Sequence, residues 1–215
     1  MNEHPLSATV AGVVSLVAGL LLCVSSFAAD VQYKLDTPQS VVTTLNDGLV
    51  RIASDPNVKT VTERFEKLRP LILATHDLPY IAALTIRRQW KDLDTMQQMR
   101  FVDAFERLSI MTYAARFKNV GAGTFKIKGT SDAGGGRVQI SSVIVRPNKA
   151  DIPLDYVLQE HDGTWQIVNI VADGVSDLAL KHAEYQRILA KGTIDDLIKH
   201  LQEQAARLQQ GSSSA

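Results

Sequence analysis

Two short motifs resemble sites at which enzymes bind a nucleotide or form a covalent intermediate. Gly121-Ala122-Gly123 begins like the glycine fingerprint of dinucleotide-binding proteins, but it follows a predicted helix and Lys126 occupies the third glycine position. Gly174-Val175-Ser176-Asp177-Leu178 is close to the nucleophile elbow of hydrolases, but Leu178 replaces the final glycine. We expect Ser176 to cap a helix instead, because its hydroxyl can accept a backbone N–H that the first turn leaves unpaired.

The titratable side chains show no spacing that suits a metal site. Beyond the N-terminal segment the histidines are His76, His161, His182 and His200, and none forms an H-x-x-x-H or H-E-x-x-H arrangement. We therefore predict no metal, no nucleotide and no covalent cofactor. One alternative stays open, a small periplasmic enzyme that holds an acid such as Asp155 or Asp173 inside a cone-like pocket.

The N-terminal segment has the pattern of a secretory signal peptide. Residues 8–29 are almost entirely apolar or small, and Ser26-Phe27-Ala28 places small side chains at the two positions that a signal peptidase reads. We predict a signal peptide over residues 1–28, with the mature chain exported to the periplasm. The first seven residues contain no Lys or Arg, and the apolar run is long enough to cross a bilayer. An uncleaved segment that tethers the protein to the membrane is therefore the other interpretation.

Charge and cysteine content narrow the function of the rest of the chain. Without residues 1–28 the chain has 23 basic and 22 acidic residues, and nucleic-acid binding requires a much more concentrated basic field. The only cysteine, Cys23, leaves with that segment, which is compatible with an oxidising compartment and excludes disulfides. About 187 residues suffice for one core without covalent cross-links. We predict a single domain over residues 29–208, a disordered tail over residues 209–215, and a monomer.

Helical spacing of apolar residues predicts helices at both ends of this domain. The longest begins at Asp94, whose carboxylate can cap the first turn while Gln97 reaches back. Others are predicted after Thr37-Pro38, from Val58 to Ile72 with a kink or interruption at Pro70, after His76, after Ser176, and from Thr193 to Leu208.

Between the helices the sequence is rich in Val, Ile and Thr and predicts a four-stranded antiparallel sheet, so the fold class is α+β. The strands are predicted at 125–128, 137–146, 152–159 and 165–172. In the third strand, Leu154, Tyr156 and Leu158 share one face. In the fourth, alternation leaves open whether the Val168/Ile170 pair or the Ile167/Val171 pair faces the core, since a shift of one residue exchanges the faces.

Several segments, in order, resemble the MlaC family, also known as the toluene-tolerance auxiliary component of an ABC transporter. The similarity covers about residues 36–208 and depends on the joint match, because each motif alone is unspecific. The similar segments are Trp90-Lys91, Gln97, Arg100-Phe101, Phe105, Leu108, Thr112-Tyr113-Ala114, Ile152 to Leu158, Gly163 to Ile167, Asp173 to Ser176, Tyr185, Ile188-Leu189, Gly192-Thr193-Ile194, and Leu197-Ile198 with Leu201. Asn169 departs from the family pattern, which usually has Asp at this position.

The resemblance implies a periplasmic protein that carries a phospholipid between a membrane-bound ABC-transporter complex and an outer-membrane lipoprotein complex, with the acyl chains in an apolar pocket between sheet and helices. A subgroup of the family, HpnM, is associated with hopanoid biosynthesis, so a hopanoid-type lipid is a second possibility. An uncleaved segment 1–28 would favour another alternative, a membrane-tethered assembly factor for lipid biosynthesis that acts by interaction alone. We expect seven residues to border the pocket, because the apolar face of the third strand and the aromatic end of the long helix are suited to face each other. They are Tyr113, Phe117, Leu154, Tyr156, Leu158, Val168 and Ile170.

Overall fold

The structure, a computed structural model, describes residues 33–118, 120–121 and 124–211. The predicted signal peptide therefore lies outside the described residues. The described part is of the α+β class, as predicted, and consists of six α-helices, one short 3₁₀ helix and an antiparallel sheet. The elements are α1 (Pro38–Ala53), α2 (Val61–Thr75), α3 (Leu78–Ile86), the 3₁₀ helix (Arg87–Asp92), α4 (Thr95–Arg116), β1 (Phe125–Gly134), β2 (Arg137–Ile144), β3 (Ile152–His161), β4 (Thr164–Ala172), β5 (Val175–Ser176), α5 (Asp177–Leu189) and α6 (Ile194–Gly211).

Local hydrogen bonds fix where the helices begin. Asp94 caps α4 and Gln97 returns a bond to the Asp94 backbone N–H, which is the predicted capping box. Ser176 caps α5 through the N–H of Ala179 at 3.2 Å, as expected. Helix α2 starts at its own cap, Thr60, two residues after Val58.

Helices α2 and α6 extend further than the sequence predicts, to Thr75 and Gly211. Helix α2 runs through Pro70 without interruption, because the proline lies on the exposed side, where the carbonyl that loses its partner can bond to water. Helix α6 continues to Gly211, so Gln209 is helical rather than part of the predicted tail. Its apolar stripe stops at Leu208, but the helix hydrogen bonds do not require an apolar face.

The sheet is a meander of five strands rather than the predicted four, in the order β1-β2-β3-β4-β5. Strands β3 and β4 are joined by Asp162-Gly163, and both residues have positive φ, 50° and 78°, which suits a two-residue hairpin. Asp173-Gly174 repeats this conformation with φ of 50° and 76° and returns the chain into β5. The fifth strand has only two residues, which is too short to show a period-two pattern in the sequence.

The main core lies between α1, α2, α4 and α6, with one face of the sheet packed against it. Apolar stripes such as Val41, Leu45 and Leu49 of α1 are almost completely buried. The hydroxyl of Tyr156 on β3 donates to Asn46 Oδ1 on α1 at 3.1 Å and ties the sheet to the helical layer. Within the described residues, no helix is long and apolar enough to cross a membrane.

Candidate functional site

A cavity of about 330 Å³ lies between the sheet and helices α3, α4 and α5. This volume falls at the lower end of the range of ligand pockets, about 300–1,000 Å³. Most of its lining is aliphatic or aromatic. The lining residues are His76, Leu78, Ile81, Phe105, Ser109, Thr112, Tyr113, Arg116, Phe117, Ile144, Ile152, Leu154, Tyr156, Ile167, Asn169, Ile170, Ala172, Asp177, Leu178 and Lys181.

A β-bulge in β4 determines which of its side chains reach this cavity. Leu158 pairs with Ile167 and Val157 pairs with Asn169, so Val168 has no partner on β3. An extra residue in one strand interrupts the regular alternation of faces. As a result, Ile167 and Ile170, three positions apart, both line the cavity. The sequence offered two regular pairs of residues, and the structure combines one residue from each.

Helix α4 forms the opposite wall with an aromatic end. Phe105, Ser109, Thr112 and Arg116 follow one another at spacings of three or four residues, so they share one side of the helix. The rings of Tyr113 and Phe117 are stacked with centroids 5.4 Å apart. The ring of Phe117 also packs against that of Phe125 on β1, with a centroid distance of 6.0 Å. These contacts hold large apolar rings against the cavity.

One part of the wall is polar, but its groups satisfy one another. The Thr75 hydroxyl donates to the Leu71 carbonyl at 2.8 Å, so its oxygen accepts from His76 Nδ1 at 3.0 Å. The second ring nitrogen, Nε2, then accepts from the Tyr113 hydroxyl at 2.9 Å. Burial lowers the pKa of His76 to about 4 and raises the pKa of Tyr113 well above its usual range. Both groups are therefore neutral at physiological pH.

The solvent-facing end of the cavity carries charges. Lys181 Nζ lies 2.7 Å from both carboxylate oxygens of Asp177, one turn earlier on α5. Asn169 Oδ1 accepts from the Ser176 hydroxyl at 3.1 Å and from the Leu178 N–H at 3.2 Å, which fixes the start of α5 against β4. Arg116, the exposed last residue of α4, also lines the cavity.

The structure brings five of the seven predicted pocket residues together around this cavity, namely Tyr113, Phe117, Leu154, Tyr156 and Ile170. It places the other two elsewhere. Leu158 shares the face of Leu154 but lies nearer the β3–β4 hairpin, where it is completely buried in the core. Val168, the bulged residue, lines a different pocket together with Tyr80, Leu84 and Val157.

Of the acids and histidines considered in the sequence, only His76 lines the cavity. Neither Asp155 nor Asp173 is among its lining residues, because Asp155 alternates with Leu154 and Asp173 lies in the β4–β5 turn. Apart from His76, the described histidines have separate partners: His161 faces Asp77 at 3.6 Å, His182 bonds the Thr85 carbonyl, and His200 bonds Glu184 at 3.0 Å. Within the described residues, no group of three or more His, Cys, Asp or Glu side chains is placed to hold a metal ion.

Sequence reasoning missed several lining residues. The sequence places His76 before a helix and gives it no metal-ligand spacing, yet its ring reaches the cavity because Asp77 N–H bonds Ile167 O at 3.1 Å and holds this segment against β4. Arg116 and Lys181 were not singled out among the charged residues on the helices. Arg116 follows Thr112 and Ser109 at helical spacing, and this signal was present in the sequence.

Comparison with known proteins identifies a family and a similar fold. None of the curated proteins compared with the chain matches it. A solved phospholipid-binding protein from Ralstonia solanacearum, in complex with a phospholipid, aligns with a TM-score of 0.70 over 79% of this chain and 97% of its own. The two sequences are 24% identical, so this likeness concerns the fold. The model of the family described as MlaC protein matches residues 42–203, which is most of the sequence, and the chain therefore belongs to the MlaC family.

Proposed function

We propose that the protein is a lipid carrier that holds the acyl chains of a phospholipid in the cavity between the sheet and α3–α5. The observation that carries this proposal is the cavity itself, whose walls are mostly aliphatic and aromatic and include the neutral His76–Tyr113 pair. Moving acyl chains into water costs about 0.8 kcal/mol per methylene, so two chains with roughly thirty methylenes lose on the order of 20 kcal/mol. An enclosed apolar surface recovers far more of this cost than an open patch.

The relatives support the same function. The Ralstonia solanacearum protein with the similar fold is described as phospholipid-binding and was solved with a phospholipid. A fold likeness at this identity does not transfer a ligand, but the family membership and the cavity point in the same direction. Inside the cavity, His76 and Tyr113 are neutral and hydrogen-bonded to each other, which suits binding better than proton transfer.

Within this proposal, the acyl chains contact the five predicted residues that line the cavity, Tyr113, Phe117, Leu154, Tyr156 and Ile170. They also contact Ile167, because the bulge at Val168 places its side chain at the cavity. Leu158 then supports the wall from inside the core.

The carrier is proposed to act as a monomer in the periplasm, after export by residues 1–28. It would receive and deliver its lipid at a membrane-bound ABC-transporter complex and an outer-membrane lipoprotein complex, as the family resemblance implies. A hopanoid-type lipid is the alternative cargo. Intact mass of the protein recovered from a periplasmic fraction tests export, and a protein that retains residues 1–28 in the membrane fraction contradicts a freely diffusing carrier.

Native mass spectrometry of the gently purified protein tests the central proposal. We expect a bound species whose mass, after release and fragmentation, is that of a phospholipid, at a stoichiometry near one. Delipidated protein should regain this mass on incubation with phospholipid vesicles. A protein that carries no lipid on purification and takes none from vesicles refutes the carrier function.

A further inference from the structure

Three charged side chains line the solvent-facing end of the cavity: Arg116 of α4, and Asp177 and Lys181 of α5. Lys181 and Asp177 neutralise each other through two contacts of 2.7 Å. Among the residues that the structure describes, Arg116 forms no salt bridge and no side-chain hydrogen bond. The opening of an otherwise apolar cavity therefore has one unmatched positive charge.

The charge of Arg116 lies at the end of the cavity where the headgroup of a bound phospholipid is expected. If the chains occupy the apolar part of the cavity, the headgroup is left at the charged end, because burying a phosphate among Leu78, Phe105 and Ile170 has a prohibitive desolvation cost. A guanidinium has parallel N–H donors that match two phosphate oxygens. Arg116 keeps all its donors available for such a ligand.

We propose that Arg116 binds the phosphate of the lipid headgroup and makes the carrier select lipids that bear a phosphate over neutral lipids with the same chains. This inference rests on the proposed function and adds to it the residue that recognises the phosphate of the headgroup. His76 and Tyr113 inside the cavity cannot bind the phosphate in place of Arg116. The Tyr113 hydroxyl already donates its hydrogen bond to His76 Nε2, and neither side chain is charged.

A competition between two lipids that differ only in the headgroup tests the proposal. Delipidated protein is incubated with vesicles that contain phosphatidylglycerol and diacylglycerol with identical acyl chains, and native mass spectrometry gives the ratio of the two bound lipids. We expect the wild-type protein to favour phosphatidylglycerol and Arg116→Gln to lower this ratio by about 1.5-fold to fivefold, the range of an exposed ion pair. Raising the salt concentration should lower the ratio of the wild type and leave that of the variant almost unchanged.

Arg88→Gln is the matched control, because Arg88 is an exposed arginine that does not line the cavity. It removes the same charge and should keep the wild-type ratio, while Arg116→Lys, which retains the charge but loses the planar pair of donors, should fall in between. Circular dichroism verifies that each variant is folded. Equal uptake of both lipids by the wild type, an unchanged ratio in Arg116→Gln, or an equal loss in Arg88→Gln overturns the role of Arg116. Failure of the wild type to take up either lipid overturns the carrier function itself, so the two failures are distinguishable.

Discussion

Two leucines on the same face of β3 make it possible to distinguish a residue that lines the cavity from a residue of the core by substituting each in turn. Leu154 lines the cavity, whereas Leu158, four residues further along the strand, is completely buried outside it. We expect Leu154→Trp to keep the melting temperature of the lipid-free protein and to lose lipid, and Leu158→Trp to lose stability.

The magnitudes follow from the space at each position. The cavity of about 330 Å³ lies within the range of pockets that hold small molecules, about 300–1,000 Å³, so an indole ring can enter it. If the ring displaces roughly three or four methylenes of the lipid, at about 0.8 kcal/mol each, lipid binding weakens about a hundredfold. At position 158 there is no such space, and overpacking costs about 1–3 kcal/mol. For a domain of this size each kcal/mol lowers the melting temperature by about 2–4 °C.

Differential scanning calorimetry of delipidated protein gives the melting temperatures, and native mass spectrometry after incubation with phospholipid vesicles gives the lipid occupancy. The lipid-free form is needed because bound lipid stabilises the fold by mass action. The reasoning is refuted if Leu154→Trp melts several degrees below the wild type and still carries lipid at full occupancy. It is equally refuted if Leu158→Trp is as stable as the wild type.

Three further predictions concern stability. Because the pKa of His76 is about 4 in the fold and about 6.5 in the unfolded chain, the unfolded state takes up the proton first as the pH falls. The stability that His76 contributes is therefore complete above about pH 6.5 and lost toward pH 4, and urea unfolding should show that the wild type loses about 2 kcal/mol more than His76→Asn between pH 7.5 and pH 5.0. Asp94→Ala removes the cap of α4 and should lower the free energy of unfolding by about 1 kcal/mol in the same assay, and an unchanged value contradicts the capping role. Arg64→Met removes the hydrogen bond that Arg64 Nε donates to the Ala114 carbonyl at 2.8 Å and should lower the free energy of unfolding by about 1–3 kcal/mol. An unchanged free energy of unfolding contradicts a stabilising role of this bond.

The helices and most strands could be predicted because their signals are local. The caps at Asp94 and Ser176 depend on residues within one turn, and the Asp162-Gly163 hairpin on a single dipeptide. The family could also be identified from the sequence, since its motifs keep their order and spacing along the chain. The fifth strand was missed because its two residues form a strand only by pairing with Val171 and Ala172.

The candidate site was predicted in part. Five of the predicted residues line one cavity, namely Tyr113, Phe117, Leu154, Tyr156 and Ile170. They could be predicted because the aromatic spacing on α4 and the alternation on β3 are local patterns in the sequence. Their contact with lipid stays a prediction until a ligand is identified. Leu158 could not be separated from Leu154 by alternation, since only the packing of helices over the sheet decides where the core ends and the cavity begins.

The sequence by itself determined the α+β class, the starts of α1, α4 and α5 and the apolar face of β3, because capping and periodicity act over a few residues. The tertiary structure alone decided which side chains of β4 line the cavity. The bulge at Val168 depends on how β4 pairs with β3, and the sequence of β4 by itself has no pattern that predicts it. It also decided that His76 is a neutral partner of Tyr113, 37 residues away, and that Arg116 shares an opening with Asp177 and Lys181. Desolvation and charge pairing depend on neighbours that are distant in the chain, and only the folded chain brings these groups together.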